Sequence, residues 1–334
     1  MDHRITIAGA GSIGCFVGGL AALGGNRVTL LGRPTLVDTV ATKGLTLTSF
    51  EGCSEAISSS DVAVTADPQA AFADASLILV TVKSGQTEEM GRLIATHAPE
   101  TAVVVSLQNG LDNAARLRAV LPGRRIHAGM VSFNVLGRGD GVFHRGTSGP
   151  VVIEDVGGEC PLFVAPHLDL VCHPRMDEVL AGKLLYNLNN ALNALSGLTL
   201  AEQLADRRWR KLFAAAQDEA LAVFRAEGLA PWSMSKIPVT RMPRMLRLPN
   251  FLFRQVAKRG VRIDRTARSS MWEDLERRRP TEIGDLQGAI IRRGEKLGIA
   301  TPVNRVIADA IRAAEQAGAG SPGLSPDVLL SRVS

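Results

Sequence analysis

Residues Gly9-Ala10-Gly11-Ser12-Ile13-Gly14 form a GxGxxG pattern directly after the β-rich run Ile5 to Ala8 and directly before an apolar helical stretch. The pattern alone is weak, and its position gives it weight. In that setting the first glycine makes the tight turn, the second lets backbone approach a pyrophosphate, and the third lets helix and strand pack closely. The helix N-terminus adds positive potential, so dinucleotide binding is the chemistry implied. Sites that prefer NAD place Asp or Glu about 20 residues further on, to accept from the ribose 2′-hydroxyl. This chain has Leu31-Gly32-Arg33 there. A cation suits a 2′-phosphate, so NADP(H) is favoured with Arg33 as its clamp. The plainer alternative is that Arg33 is a surface residue beside Pro34.

Two further polar residues end apolar runs, Lys83 in VTVKSGQT and Asn109 in SLQNG. Open α/β sheets hold ligands at the carboxyl ends of their strands, so the pair marks a cleft, with strand termination as the bland alternative. Farther along, Lys183, Asn187 and Asn190 stand at i, i+4 and i+7 in AGKLLYNLNNALNALSG, which places them on one face of a single helix. Four asparagines in seven residues are unusual in an apolar helix, because Asn is a poor helix former and a buried amide must find partners. A ligand-facing stripe fits this better than a solvated one. In Arg268 to Leu275 and Arg279 to Ile283, Ser270 and Thr281 can cap helices, with Glu282 in a first turn.

The elements that must carry these residues change character near Pro174. Before it, Ile5 to Ala8, Arg27 to Leu31, Leu77 to Val82 and Ala102 to Ser106 read as buried parallel strands. Helical patterns lie between them at 13–23, 87–97 and 113–121. This alternation predicts an α/β fold with a doubly wound sheet of Rossmann type. From 44 to 65 and from 129 to 155 the pattern is β-like without helices, which predicts antiparallel or edge strands. After Pro174, residues 176–195, 208–227, 281–297 and 302–317 show three- and four-residue apolar spacing, so an all-helical domain follows. The division expected is 1–174 and 175–334. The tail from Gly318 begins as a flexible Gly/Ser/Pro link and ends in one helical turn.

Composition bounds the function class. The 334 residues are enough for two cores, and 46% hydrophobic with 21% charged residues is ordinary globular composition. Residues 1–174 hold 12 Lys+Arg against 16 Asp+Glu, whereas 175–334 hold 26 against 17. With only 14 aromatic residues and no zinc-finger or RNA-binding signature, nucleic acid is not the expected partner. An anionic small molecule or a solvated helical surface accounts for the basic half. The uncharged stretch from Ala8 to Gly25 contains seven glycines, which reads as a turn between two elements rather than a membrane span. Cys15, Cys53, Cys160 and Cys172 are scattered, so no disulfide framework and no metal site is implied, and a reducing cytoplasm fits.

Taken in order, the segments AGAGSIG, VTVKSGQT, LQNG, GKLLYNLNNAL, SSMWEDLERRRPTEI and GIATPVN make the chain similar to the ketopantoate reductase (2-dehydropantoate 2-reductase) family essentially end to end. The resemblance implies a Rossmann-type domain, a C-terminal all-helical domain, NADPH as cofactor and reduction of a 2-oxo acid in a cleft between domains. It implies Lys183 as the catalytic lysine and Glu282 as the active-site glutamate. Asn187 corresponds to the first helix asparagine, Ser270 to the carboxylate-binding serine, and Lys83 and Asn109 to the cofactor- and substrate-contacting pair. Some members carry a second helix asparagine eight residues after the lysine. Here that position is Ala191, and Asn190, nearly in line with Lys183, is the candidate to replace it. The partner implied is a small 2-oxo acid, with room for a homodimer. The alternatives are a different 2-oxo acid or a non-catalytic NADP(H)-binding regulator, which would not need Lys183 and Glu282.

Overall fold

A computed structural model describes residues 3–234, 237–257 and 267–333. The chain divides into two compact units, Met1–Met176 and Asp177–Ser334.

The first unit contains twelve described strands: β1 Arg4–Ala8, β2 Arg27–Leu31, β3 Leu45–Ser49, β4 Ser54–Ile57, β5 Ala63–Thr65, β6 Leu77–Val80, β7 Val103–Ser106, β8 Ile126–Val131, β9 Val135–Gly139, β10 Val142–Arg145, β11 Val151–Glu154 and β12 Leu170–His173. Its helices are α1 Ser12–Leu23, α2 Pro34–Lys43, α3 Pro68–Phe72, α4 Thr87–His97 and α5 Asn113–Val120. Eight strands form one sheet in the order β12-β11-β8-β7-β6-β1-β2-β5, parallel from β8 through to β5. The chain-order reversal at β1 is that of a doubly wound fold. The β-like stretches meet the expectation in part: β3 pairs β4, β9 pairs β10 and β8 pairs β11 antiparallel, and β5 is the edge of the large sheet, but β3 and β10, the middle strands of the four-stranded sheet, pair parallel.

Both faces of the large sheet are buried because its central strands are mostly apolar on both sides, with the buried Thr6 hydroxyl satisfied by the Ala71 carbonyl at 2.6 Å. Ile5, Ile7, Leu77 and Leu79 pack on one side with Phe16 and Val17 of α1 and with Leu45 and Leu47 of the four-stranded sheet. Ala8, Ile78 and Val80 pack on the other with Phe72, Ile94 and Leu117. Helices α2 and α3 were not signalled by apolar period; each begins with a proline at its first position, and Asp67 caps α3 by accepting from the Gln69 amide at 3.0 Å. Cys160 and Cys172 form a disulfide, contrary to expectation, because strand pairing brings together residues twelve apart, with Cα atoms at 6.1 Å.

The second unit is helical: α6 Met176–Asn187, α7 Asn189–Ser196, α8 Leu200–Ala205, α9 Arg207–Ala226, α10 Met242–Leu246, α11 Asn250–Ala257, α12 Ser270–Glu276, α13 Gln287–Leu297, α14 Pro302–Ala317 and α15 Pro326–Val333. Trp209, Leu212, Phe213, Ala216, Ala220 and Val223 give α9 the buried face that organises the unit. Three expectations change. The helix over 176–195 is broken at Leu188, the helix over 281–297 begins only at Gln287, and the tail is anchored rather than loose. Ser321 donates to the Ala194 carbonyl at 2.6 Å, the Leu324 amide to Leu195 at 2.8 Å, and Leu329 of α15 is fully buried. Some of the basic residues serve structure: Arg210 is buried against the Leu246 and Leu248 carbonyls, and Arg207 caps the Arg247 carbonyl. Among the described residues no helix is long and apolar enough to cross a membrane.

Candidate active site

The glycine loop connects β1 to α1, and its three glycines have three different surroundings. Gly9 has φ +98°, and a Cβ there would stand 2.3 Å from Val82 Cγ1. A Cβ on Gly14 would stand 2.6 Å from Thr81 Oγ1 and 2.8 Å from Ile7 Cγ2, so α1 lies against the sheet only because that residue has no side chain. At Gly11 no described atom lies within 4 Å of the corresponding point. Turn, open approach and close packing are thus separate, and the open position sits at the N-cap of α1. That cap has no side-chain hydrogen bond among the described residues and no acidic residue in its first turn. These residues, with Ala10, Ser12 and Ile13 completing the loop, fit a dinucleotide pyrophosphate.

Arg33 adjoins the loop. The Gly9 and Ala10 amides donate to the Leu31 carbonyl at 3.2 and 2.7 Å, and Arg33, exposed, is the N-cap residue of α2 two positions on.

Lys83 and Asn109 follow β6 and β7 and are both half-buried. They are brought together by a buried polar network that sequence reasoning missed. The Gln108 amide donates to the Val82 carbonyl at 3.0 Å and to Thr87 Oγ1 at 2.7 Å, and accepts from Ser106 Oγ at 3.0 Å. Asn113 donates to Ser84 Oγ at 3.0 Å and to the Asn109 carbonyl at 2.6 Å, and Ser84 Oγ donates to the same carbonyl at 3.0 Å. Thr87 Oγ1 lies 2.9 Å from both the Ser84 carbonyl and Asn113 Oδ1. Every partner of Gln108 is buried or half-buried, so the loops after the two strands are held as one body. The signal was present in Gln108 itself, an amide directly after an apolar strand. Thr81 Oγ1 donates to the Gly9 carbonyl at 2.7 Å, which joins this platform to the glycine loop.

In the second unit Lys183 and Asn187 are one turn apart on α6, half-buried and buried respectively. Burial pulls the Lys183 ammonium down to about 8, because the charged form loses water that the neutral form needs less. Asn190 does not continue the same helix. The Leu188 carbonyl accepts from buried Gln287 at 2.8 Å, and α7 starts after it. The four asparagines therefore divide. Asn189 exchanges hydrogen bonds with Gln203 at 3.2 and 3.0 Å. Asn193 donates to the Leu198 carbonyl at 3.0 Å and accepts from the Ser269 amide at 2.8 Å. Those two are structural, which leaves Asn187 and Asn190 of the four as the stripe expected to face a ligand.

Ser270, exposed, is the first residue of α12, and the cap is Ser269 instead, whose Oγ accepts from the Trp272 amide at 3.2 Å. Ser269 Oγ also donates to the Asn190 carbonyl at 2.9 Å, which seats the start of α12 beside α7. Glu282 lies in a turn ahead of α13 rather than inside the helix, with its carbonyl accepting from the Asp285 and Leu286 amides at 3.0 and 3.1 Å. Gln287, five residues on, ties that turn to the Leu188 break. Cys15, on α1, is buried and pushed up to about 12, which removes it as a nucleophile.

Known proteins resemble the chain along nearly its whole length. The family described as ketopantoate reductase PanE/ApbA matches residues 5–158, and its C-terminal domain matches 175–315. A 2-dehydropantoate 2-reductase of Halobacterium salinarum is 30% identical over 325 residues, 94% of this chain and 100% of that protein. The crystal structure of a PanE/ApbA family ketopantoate reductase from Ralstonia eutropha JMP134 has TM-score 0.79 at 29% identity, covering 94% of this chain and 99% of that one. A ternary structure of D-mandelate dehydrogenase with NADH and anilino(oxo)acetate shares the fold, with TM-score 0.74 at 20% identity over 94% and 99% of the two chains.

Proposed function

The chain belongs to the ketopantoate reductase family, and from that premise we propose that it reduces a 2-oxo acid to the 2-hydroxy acid with NADPH, 2-dehydropantoate to pantoate foremost. Bound NADPH supplies the hydride. The loop of Gly9, Ala10 and Gly11, whose own amides are spent on the Leu31 and Gly9 carbonyls, shapes the turn so that the amides of Ser12, Ile13 and Gly14 at the start of α1 hold the pyrophosphate, and Arg33 takes the 2′-phosphate.

Reduction leaves negative charge on the substrate's carbonyl oxygen, which needs a proton and a cation placed there. Lys183 supplies both. The observation that carries the proposal is the match of both domains to the ketopantoate reductase family, with Lys183 and Asn187 one turn apart on α6. Burial, which lowers the Lys183 ammonium to about 8, is consistent with a group that stays mainly charged at neutral pH yet releases a proton more readily than a solvated lysine. Glu282 holds Lys183 in place or accepts from a substrate hydroxyl. Ser270 and Asn109 donate to the substrate carboxylate as neutral groups. Lys83 contacts the cofactor, and Asn187 and Asn190 contact the substrate's polar end. The platform of Gln108, Thr87 and Asn113 gives Lys83 and Asn109 fixed positions.

The test is turnover of the purified protein with NADPH against a panel of 2-oxo acids. Oxidation of NADPH that depends on 2-dehydropantoate, at the highest kcat/KM of the panel, supports the proposal. Preference for a bulkier 2-oxo acid supports a second reading of the same chemistry, which the presence of Ala191 where some members carry the second asparagine, with Asn190 one position earlier, permits. Binding of NADPH without turnover of any 2-oxo acid would leave a regulator instead.

A further inference from the structure

The first unit carries a side-chain cluster with no part in the reaction just proposed. Cys53 precedes β4, Glu55 lies within it, and His167 lies in the loop before β12. One ligand atom from each of the three falls within 4.8 Å of the others. Ligands on one tetrahedral zinc lie roughly 3.3–3.8 Å apart, given bonds of about 2.0–2.3 Å, so small rotamer adjustments close the cluster onto an ion. His167 Nε2 is already 3.1 Å from Glu55 Oε1.

The backbone beneath these side chains is fixed. Ser49 holds the Cys53 turn, its amide donating to the Cys53 carbonyl at 2.9 Å and its Oγ accepting from the Cys53 amide at 3.1 Å. Glu55 sits in register opposite Leu47. His167 adopts φ +64°, uncommon for a residue with a side chain, and the buried Arg145 guanidinium donates to its carbonyl at 2.9 Å. Arg145 also donates to Glu51 at 2.8 Å, so one buried side chain ties the two segments together. Beside the cluster lies a cavity of about 300 Å³ lined by Cys53 and His167 and also by Glu51, Ser148 and Asp169. It has room for a water ligand, and its carboxylates outnumber the single guanidinium.

We propose that Cys53, Glu55 and His167 bind a divalent cation of the zinc class, with water as the fourth ligand, as a clamp between the four-stranded sheet and the loop that enters β12. Thiolate, imidazole and carboxylate together select a borderline metal over magnesium or calcium, which take oxygen ligands only. The ligands come from positions 53, 55 and 167, so no short spacing in the sequence signals the site.

The test uses the full chain with the Cys160–Cys172 disulfide intact, stripped of metal and titrated with Co²⁺. A thiolate-to-cobalt absorption band that saturates at one equivalent and is displaced by Zn²⁺ is expected. Cys53→Ser should abolish the band, Glu55→Gln should weaken binding, and His167→Asn, which tolerates the same backbone conformation, should do likewise. Zn²⁺ should slow the reaction of Cys53 with a disulfide reagent by at least about tenfold, since a coordinated thiolate is shielded. Thermal melting of each metal-free variant at the wild-type midpoint shows that the fold is intact. The absence of a band, a band that survives in Cys53→Ser, an unaltered affinity in His167→Asn, or a thiol reaction that Zn²⁺ does not slow would each overturn the proposal. Turnover of a 2-oxo acid is a separate readout and stands or falls apart from this site.

Discussion

At the scale of single residues, two cations have different tasks in the proposed reaction. Arg33 stands where a carboxylate would select NAD, exposed beside the glycine loop. A charge-assisted phosphate contact contributes about 1.5–3 kcal/mol, so Arg33→Ala should weaken NADPH by about one to two decades and leave NADH nearly unchanged. Dissociation constants for both cofactors check this, and an unaltered ratio would remove Arg33 from the site. Lys183 differs because burial lowers its titration. A proton donor must be protonated before the step, and its pKa lies near 8. The kcat/KM for reduction should therefore be flat below about pH 8 and fall tenfold per unit above it. A profile flat to pH 10 would mean that another group gives the proton. Both proposals come from the sequence, Arg33 from its distance to the glycines and Lys183 through the family resemblance. The division of labour among the asparagines was not legible there, since Asn189 and Asn193 find Gln203 and Ser269 only after folding.

At the scale of elements, one segment of the family resemblance has a structural task. In GIATPVN, Pro302 opens α14, and the Val303 and Asn304 amides donate to Glu219 of α9 at 2.8 and 3.0 Å, with Asn304 Nδ2 adding a third hydrogen bond at 2.7 Å. Burial raises the Glu219 carboxyl while these donors pull the other way, so the anion is held at a helix N-terminus in a dry setting. Glu219→Ala should destabilise the protein by about 2–4 kcal/mol, because three donors lose a charged acceptor, whereas Glu219→Gln should cost less. Denaturant midpoints at matched slope measure the difference, and a change within about 0.5 kcal/mol for the alanine variant would place the cap among ordinary surface contacts. Apolar period marked the long elements well: α4 spans Thr87–His97 as expected. It failed at Leu188 and at Thr281, where a buried glutamine and a run of turns override local periodicity.

Across the whole molecule, the change from alternating strands and helices to helices alone was visible in texture, whereas the disulfide was not, because it depends on β11 pairing with β12. Closing a loop of this length contributes roughly 2–3 kcal/mol, so reduction of Cys160–Cys172 should lower the thermal midpoint by several degrees. An identical midpoint in reductant would show that strand pairing alone holds that edge. The two units also separate the two properties that the function requires, since the glycine loop belongs to the first and Lys183 to the second. Loss of one property should therefore spare the other. Measuring kcat and the NADPH dissociation constant on a single preparation of Lys183→Ala tests this most directly. A fall in kcat of about two to four decades with NADPH affinity near wild type is the predicted result, whereas near-normal turnover would contradict the assignment of Lys183 as the proton donor.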